Sequence, residues 1–184
     1  MAAAPRRWAA ELLHFWFQRM RPGQWFGHDA AADEQLRRRF ARDLSMLRRQ
    51  PPRAFLRDPL TARAGILLFD QMPRNLHRGS PEAFACDPLA RAIAKGATAR
   101  GWHRQLGKRG CQFLYMPLMH SEAKPDQRLA LRLFAALGDP SITRFARAHA
   151  RMIARFGRFP HRNVLLGRKS SAAELRAIAA GNVW

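Results

Sequence analysis

The chain has 184 residues, of which 47% are hydrophobic, 33 are lysine or arginine and 13 are aspartate or glutamate, giving a net charge of +20. This hydrophobic content excludes an intrinsically disordered chain, and no apolar run approaches the roughly 20 residues that span a membrane. At this length we expect a single domain, residues 1–184, with a substantial hydrophobic core.

The cysteines and the N-terminal sequence indicate the cellular compartment in which the protein is expected. Cys86 and Cys111 are the only cysteines, and two cysteines provide neither a metal-ligand spacing nor a disulfide framework. The apolar run at residues 12–17 is short and interrupted by His14, which is untypical of a signal peptide. We therefore expect free thiols, a cytoplasmic protein and no membrane partner.

The positive charge has two interpretations. A basic field attracts nucleic acid or acidic surfaces. A composition rich in arginine and alanine produces the same charge without any role in binding, and the chain has no long basic block or aromatic–basic stacking motif. Nucleic acid is therefore the more weakly supported of the candidate partners.

Three helices are predicted in the first half of the chain. They cover about residues 6–19, about residues 33–49, and a segment that begins at Asp58-Pro59. In this last pair, aspartate can cap the helix and proline suits its first position. Trp25 and Phe26 are expected in a loop, with both rings packed on the core.

The third helix leads into the densest polar stretch of the chain, residues 70–78. Continuing its apolar face by three residues from Leu68 places the amide of Gln71 on the core side. Pro73 lacks the amide hydrogen needed for a bond to residue 69, so the helix should end or kink there. Burying such polar groups is costly unless they bond to one another or to a ligand.

The second half of the chain has the same helical punctuation, with predicted caps at Asp87-Pro88 and Asp139-Pro140 and a capping box at Ser171-Ala172-Ala173-Glu174. The predicted helices cover about residues 87–101, 112–120, 125–137, 140–156 and 171–181. His149 falls in the apolar stripe of the fourth of these, a placement typical of a hydrogen-bonded core histidine. Hairpin signals and alternating strand patterns are absent. The sequence therefore predicts an all-α fold of about seven to nine helices in antiparallel pairs.

Four blocks of sequence resemble the bacterial domain-of-unknown-function family 924. The blocks are Phe15-Trp16-Phe17 with Trp25-Phe26; Leu68-Phe69-Asp70-Gln71-Met72-Pro73-Arg74-Asn75 with Arg78-Gly79 and Ala83-Phe84-Ala85-Cys86-Asp87; Phe113-Leu114-Tyr115-Met116-Pro117 with His120-Ser121-Glu122 and Asp126-Gln127; and Arg155-Phe156-Gly157-Arg158-Phe159-Pro160-His161-Arg162-Asn163 with Leu166-Gly167-Arg168. The resemblance implies a bacterial protein with a tetratricopeptide-like helical fold. It implies no activity.

Three polar blocks at helix ends supply the candidate site, and we expect them to converge. The candidate ligand-binding residues are Asp70, Gln71, Arg74, Asn75 and Arg78; His120, Glu122 and Asp126; and His161, Arg162 and Asn163. Arginines of this kind can clamp a phosphate or a carboxylate through two hydrogen bonds. The first hypothesis is therefore a polar pocket for a small anionic ligand.

Two alternatives remain open at this point. The chain can act as a tetratricopeptide-like interaction module for an acidic peptide or RNA. The polar blocks can also form a buried network that only stabilises the fold. No nucleophile motif, phosphate-binding glycine loop or cofactor fingerprint is present, so no catalytic residue, cofactor or metal is assigned and the question of enzymatic activity stays open.

Overall fold

Helix caps and apolar periodicity produce an all-α architecture, as predicted. The structure is a computed structural model that describes residues 6–182. Within these residues there are nine helices, counting continuous helical segments as one, and no strand. Among these helices, none combines the length and the hydropathy that a membrane crossing requires.

The first five helices are α1 to α5. Helix α1 comprises Arg7–His14 and a π-helical turn, Phe15–Arg19; α2 is Pro22–Phe26; α3 is Ala30–Leu47; α4 comprises Pro59–Ile66, a π-helical turn, Leu67–Gln71, and a last turn, Met72–Leu76; and α5 is Asp87–Ala99. The last four are α6, Lys108–Met119; α7, Lys124–Ala136; α8, Pro140–Phe156; and α9, Ala172–Ala179. Short 3-10 turns cover Pro52–Phe55, Pro81–Phe84, Trp102–Gln105 and Pro160–Arg162.

The chain divides into two compact units. The first contains residues 82–106 and those up to residue 78, and the second contains residues 79–81 and those from residue 107 onwards. In the first unit, α4 packs against both α1 and α5. The rings of Phe55 and Phe69 lie at its centre, fully buried, with centroids 5.0 Å apart. The single-domain expectation stays a prediction.

Helix α4 does not end at Pro73. It continues to Leu76 because the preceding turn is π-helical, and the amide of Met72 donates to the carbonyl of Leu67, five residues back. This wider turn accommodates a proline that cannot donate a hydrogen bond. Arg74 and Asn75, predicted to lie just beyond the helix, instead belong to its last turn. Gln71 is buried, as predicted.

The Trp25–Phe26 prediction is half right. The two residues end the short helix α2 instead of lying in a loop. Trp25 is buried, and its Nε1 donates to the carbonyl of Trp16 at 2.8 Å. Phe26 is 56% exposed and is not part of the core. The two side chains point about 100° apart on the helix, and only that of Trp25 is directed at the core.

The second unit is built on three consecutive helices, α6, α7 and α8, which pack against one another. A three-residue link, 137–139, joins α7 to α8. The predicted cap at Asp139 is confirmed, because its carboxylate accepts from the amides of Ser141 and Ile142. Helix α8 ends at Gly157, which has the left-handed conformation with a φ of 71°. The loop that follows carries the third polar block.

Candidate functional site

The polar block of the first unit is paired internally. Arg74 donates to both carboxylate oxygens of Asp87, at 2.8 and 3.0 Å, and to the backbone carbonyl of Asp70 at 2.5 Å. Its Nη1 also lies 3.4 Å from the carboxylate of Asp70, which is fully buried. Gln71 donates to the same carboxylate at 2.5 Å. Asp87 was expected to cap α5; it pairs with Arg74 instead.

A third acid, Asp33, completes this network. Asp33, in α3, accepts from Asn75 Nδ2 at 2.9 Å and from Arg78 Nε at 3.2 Å. Arg78 also donates to the carbonyl of Gly27 at 2.9 Å. Asp33 was not among the predicted site residues. Its position indicates burial, because it lies three residues before Leu36 on the buried face of α3. A buried acid at such a position needs a partner.

The second unit contains a different arrangement, which we call the His–Arg cluster: His120, His149, His161 and Arg162, together with the ring of Phe159. His149 and His161 lie next to Phe159, with ring centroids 5.5 and 5.7 Å from it, and the guanidinium carbon of Arg162 stands 4.5 Å from its centroid. His120 lies beside His149, with ring centroids 6.0 Å apart. Two imidazoles and one guanidinium thus lie on one aromatic ring, and a third imidazole lies beside His149.

Three separate segments position the His–Arg cluster. His120 caps the C-terminus of α6, His149 lies on the buried face of α8, and the short turn Pro160–Arg162 carries the other two residues. His149 donates from Nδ1 to the carbonyl of Phe145 at 2.8 Å, which orients its ring. His149 is therefore the hydrogen-bonded core histidine that the sequence suggested, and it is also a member of the cluster.

Glu122, just after α6, forms hydrogen bonds with the loop that follows α8. It accepts from both Nη atoms of Arg168, at 2.8 and 3.0 Å, and from the amide of Phe159 at 2.8 Å. Arg168 also donates to the carbonyl of Phe159 at 3.3 Å. The result is a closed ring of charged and backbone hydrogen bonds around Phe159, next to the residues of the His–Arg cluster.

The pKa values of His149 and Glu122 indicate the charge of each side chain at pH 7. Burial, together with the nearby His120, Arg162 and His161, lowers the pKa of His149 to about 3, against the weaker effect of its bond to Phe145. His149 is therefore neutral at pH 7. Burial alone would raise the pKa of Glu122, but the hydrogen bonds from Arg168 and the Phe159 amide outweigh it and lower that pKa. Glu122 is therefore ionised.

The remaining predicted residues of this unit have structural contacts. Asp126 is buried and accepts from the hydroxyl of Ser121 at 2.7 Å. Asn163 is buried and donates to the hydroxyl of Ser170 at 3.0 Å and to Glu174 at 3.4 Å. Both residues hold backbone segments in place beside the cluster. The carboxylate of Asp126 and the amide nitrogen of Asn163 are thus engaged, whereas Asn163 Oδ1 is buried and has no hydrogen-bond partner among residues 6–182. A free acceptor oxygen does not favour an anion, so we do not count either residue among the ligand-binding groups of the cluster.

Exposure limits what can reach the His–Arg cluster. His120 is 8% and Arg162 6% exposed, while His161 is half-buried. Next to them, Nε of Arg168 is buried and has no hydrogen-bond partner among residues 6–182. Such a donor is normally satisfied by water or a ligand. The arrangement suits a small anion, because imidazole and guanidinium groups donate hydrogen bonds to phosphate and carboxylate oxygens.

The structure brings together two of the three predicted blocks. The second and third blocks lie in one unit, where Glu122, His161 and Arg162 contact Phe159 and His120 lies beside His149. The first block belongs to the other unit and is tied to Asp33 and Asp87. Convergence of all three blocks stays a prediction. In the part of the chain that the structure describes, no group of three or more His, Cys, Asp or Glu residues is placed to hold a metal ion.

Comparison with known proteins places the chain among relatives without an assigned activity. A family model described as a bacterial protein of unknown function, DUF924, matches residues 12–182. The solved structure of a protein of unknown function, ATU0120 from Agrobacterium tumefaciens, is similar, with a TM-score of 0.88 and 35% identity over 94% of this chain and 97% of that one. No curated protein matches the chain.

Proposed function

The chain belongs to the bacterial DUF924 family, and we propose that this member binds a small phosphate- or carboxylate-bearing ligand at the His–Arg cluster. The observation that carries the proposal is that His149, His161 and Arg162 lie on the ring of Phe159, with His120 beside His149. Arg162 is always charged and is one cause of the lowered pKa of His149, so this region holds a fixed positive charge. An anion would be attracted to that region.

Burial narrows the ligand class. Because His120 and Arg162 expose less than a tenth of their surface, only a small anion, or the anionic end of a larger molecule, can contact both. Entry requires the loop at 158–168 to open. Free, buried Cys86 and Cys111 are consistent with a reducing compartment, so we also propose that the protein acts in the cytoplasm on a soluble metabolite.

Titration with inorganic phosphate and with acetate tests this proposal. We expect saturable binding by calorimetry, with shifts of the His120 and His161 ring resonances in NMR spectra. Arg162→Lys keeps the charge but loses the guanidinium fork, so it should weaken binding. Arg132→Lys is the matched control, since Arg132 is an exposed arginine of the same unit and the same exchange there should leave phosphate affinity unchanged.

The competing interpretation is a purely structural cluster. In that case phosphate would not bind at millimolar concentration, and His161→Gln would lower the melting temperature while phosphate had no effect on either protein. Phosphate should instead raise the melting temperature of the wild type, because a ligand that binds only the folded state stabilises it. Wild-type protein that phosphate neither binds nor stabilises would refute the proposed function.

The second candidate function is a tetratricopeptide-like interaction module. The packed helices α6, α7 and α8, with a three-residue link between the last two, support such an assignment for the second unit, because helix pairs of this kind present extended surfaces to partners. An acidic partner would suit the charge of the chain. This role does not require the His–Arg cluster to be accessible.

A further inference from the structure

Four arginines form a row along the exposed side of α8: Arg144, Arg147, Arg151 and Arg155, all of them exposed. At about 100° per residue they fall within an arc of about 80°, and they extend over about 16 Å of helix. The opposite side of α8 is buried and includes His149 and Ile153. The row therefore lies directly away from the core of its unit.

Among residues 6–182, the positive charges of the arginine row have no acidic partner. Helix α8 contains no acidic residue, and from Gln127 to Ala173 the only acid is Asp139, whose carboxylate caps α8. Among residues 6–182, no ion pair involves any of the four arginines. The helix therefore presents a surface of one sign over three turns.

This arrangement differs from an ordinary solvated helix face. On α1, for example, exposed Arg7 pairs with Glu11 at 2.7 Å. On α8, by contrast, Arg147, Arg151 and Arg155 follow one another at intervals of four, and like charges at this spacing destabilise a helix. A bound polyanion would remove that repulsion.

We propose that the arginine row, with Phe145 beside it, binds single-stranded nucleic acid. Guanidinium groups recognise phosphates through paired hydrogen bonds. Phe145 is 47% exposed and the guanidinium of Arg144 lies 5.4 Å from its ring centroid, so an aromatic face is available for a base beside a cation. The exposed ring favours nucleic acid over an acidic peptide, which has carboxylates but no bases to stack.

Salt dependence gives the first test, measured by the anisotropy of a labelled oligothymidylate. Four phosphate contacts imply a slope of log affinity against log salt of about −3, since each contact with a single strand contributes about −0.7. A slope near zero would overturn the proposal. Polyglutamate that competes as well as oligothymidylate of equal charge would assign the surface to acidic peptides and would also overturn it.

Arg151→Glu separates binding from folding. The new carboxylate stands one turn from both Arg147 and Arg155, so the melting temperature should not fall. Affinity for the oligothymidylate should fall by about eightfold or more at about 50 mM salt, the effect of losing one contact with its released counterion. The salt slope should become shallower by about 0.7.

Arg38→Glu is the control for net charge. Arg38 is an exposed residue of α3 with Glu34 four residues before it and Arg42 four residues after it, so the change in net charge is the same while the residue lies outside the arginine row. Its oligothymidylate affinity should stay close to that of the wild type. An equal loss in both variants would show that only net charge matters and would overturn the assignment to α8, as would unchanged affinity in Phe145→Ala.

Discussion

Arg168 donates to both carboxylate oxygens of Glu122, 46 residues away in sequence, at 2.8 and 3.0 Å. The same carboxylate accepts the amide of Phe159, so one acid holds both ends of the loop that carries His161 and Arg162. The order of the His–Arg cluster therefore depends on a residue outside it. This makes Glu122 a positioning residue for the proposed anion site.

Glu122→Gln should lower the free energy of unfolding by about 2 kcal/mol, because charge-assisted hydrogen bonds from Arg168 are lost. Arg168→Gln should have a similar effect, and a double-mutant cycle should give a coupling of about 1 to 2 kcal/mol. Urea unfolding of the four proteins measures both quantities. Glu34→Gln is the control, since its exposed pair with Arg37 should contribute under about 1 kcal/mol. Additive effects at Glu122 and Arg168 would contradict the prediction.

Arg74→Ala should be strongly destabilising, by about 3 kcal/mol, because it leaves the fully buried Asp70 and its neighbour Asp87 without their cation. Chemical denaturation compared with Arg49→Ala, an exposed arginine of the same unit, provides the measurement. A ligand-clamping role for Arg74 predicts the opposite result, an unchanged melting temperature. Stability equal to that of the control would therefore return the first block to the list of binding candidates.

Stability should depend on pH through His149. Its pKa is about 3 in the folded protein and about 6.5 when unfolded, so between these values only the unfolded chain binds the proton. The free energy of unfolding should thus fall on acidification below pH 6.5, with a slope approaching about 1.4 kcal/mol per pH unit. His149→Leu should remove this component from denaturation curves recorded between about pH 7.5 and pH 5. Parallel profiles for the two proteins would refute it.

Glu174 should titrate at unusually low pH. Hydrogen bonds from Arg158, at 2.6 and 3.0 Å, and from the amide of Ser171 lower its pKa to about 2. Its contribution to stability is present above pH 4.5 and is lost as the pH falls towards 2. In Arg158→Ala, the carboxyl carbon resonance of Glu174 should titrate closer to the ordinary value of 4.5. A midpoint that did not move would show that Arg158 is not the main cause.

Local signals in the sequence were sufficient to predict most of the secondary structure. The caps at Asp58, Asp139 and Ser171 are confirmed by hydrogen bonds to amides two or three residues ahead. Such contacts depend on neighbouring residues alone. The continuation of α4 through Pro73 was not predicted, because a π-helical turn depends on the packing around it as well as on the proline.

Pairing across the chain could not be predicted in the same way. The sequence has 33 basic and 13 acidic residues, and many combinations of them are chemically equivalent. Asp87 followed by Pro88 has the form of a helix cap, yet its carboxylate pairs with Arg74. The role of Asp33 was missed for the same reason, since its partner Asn75 lies 42 residues away.

By itself the sequence determined that this protein is all-helical, where most helices begin, and that Gln71 would be buried, because helix caps and apolar periodicity act over a few residues. Only the tertiary structure decided that Asp70 and Arg74 form an internally paired network while His149 and Arg162 meet at Phe159, with His120 beside His149. The physical reason is that a charged group selects its partner by distance after packing, and packing joins segments that are far apart in the chain.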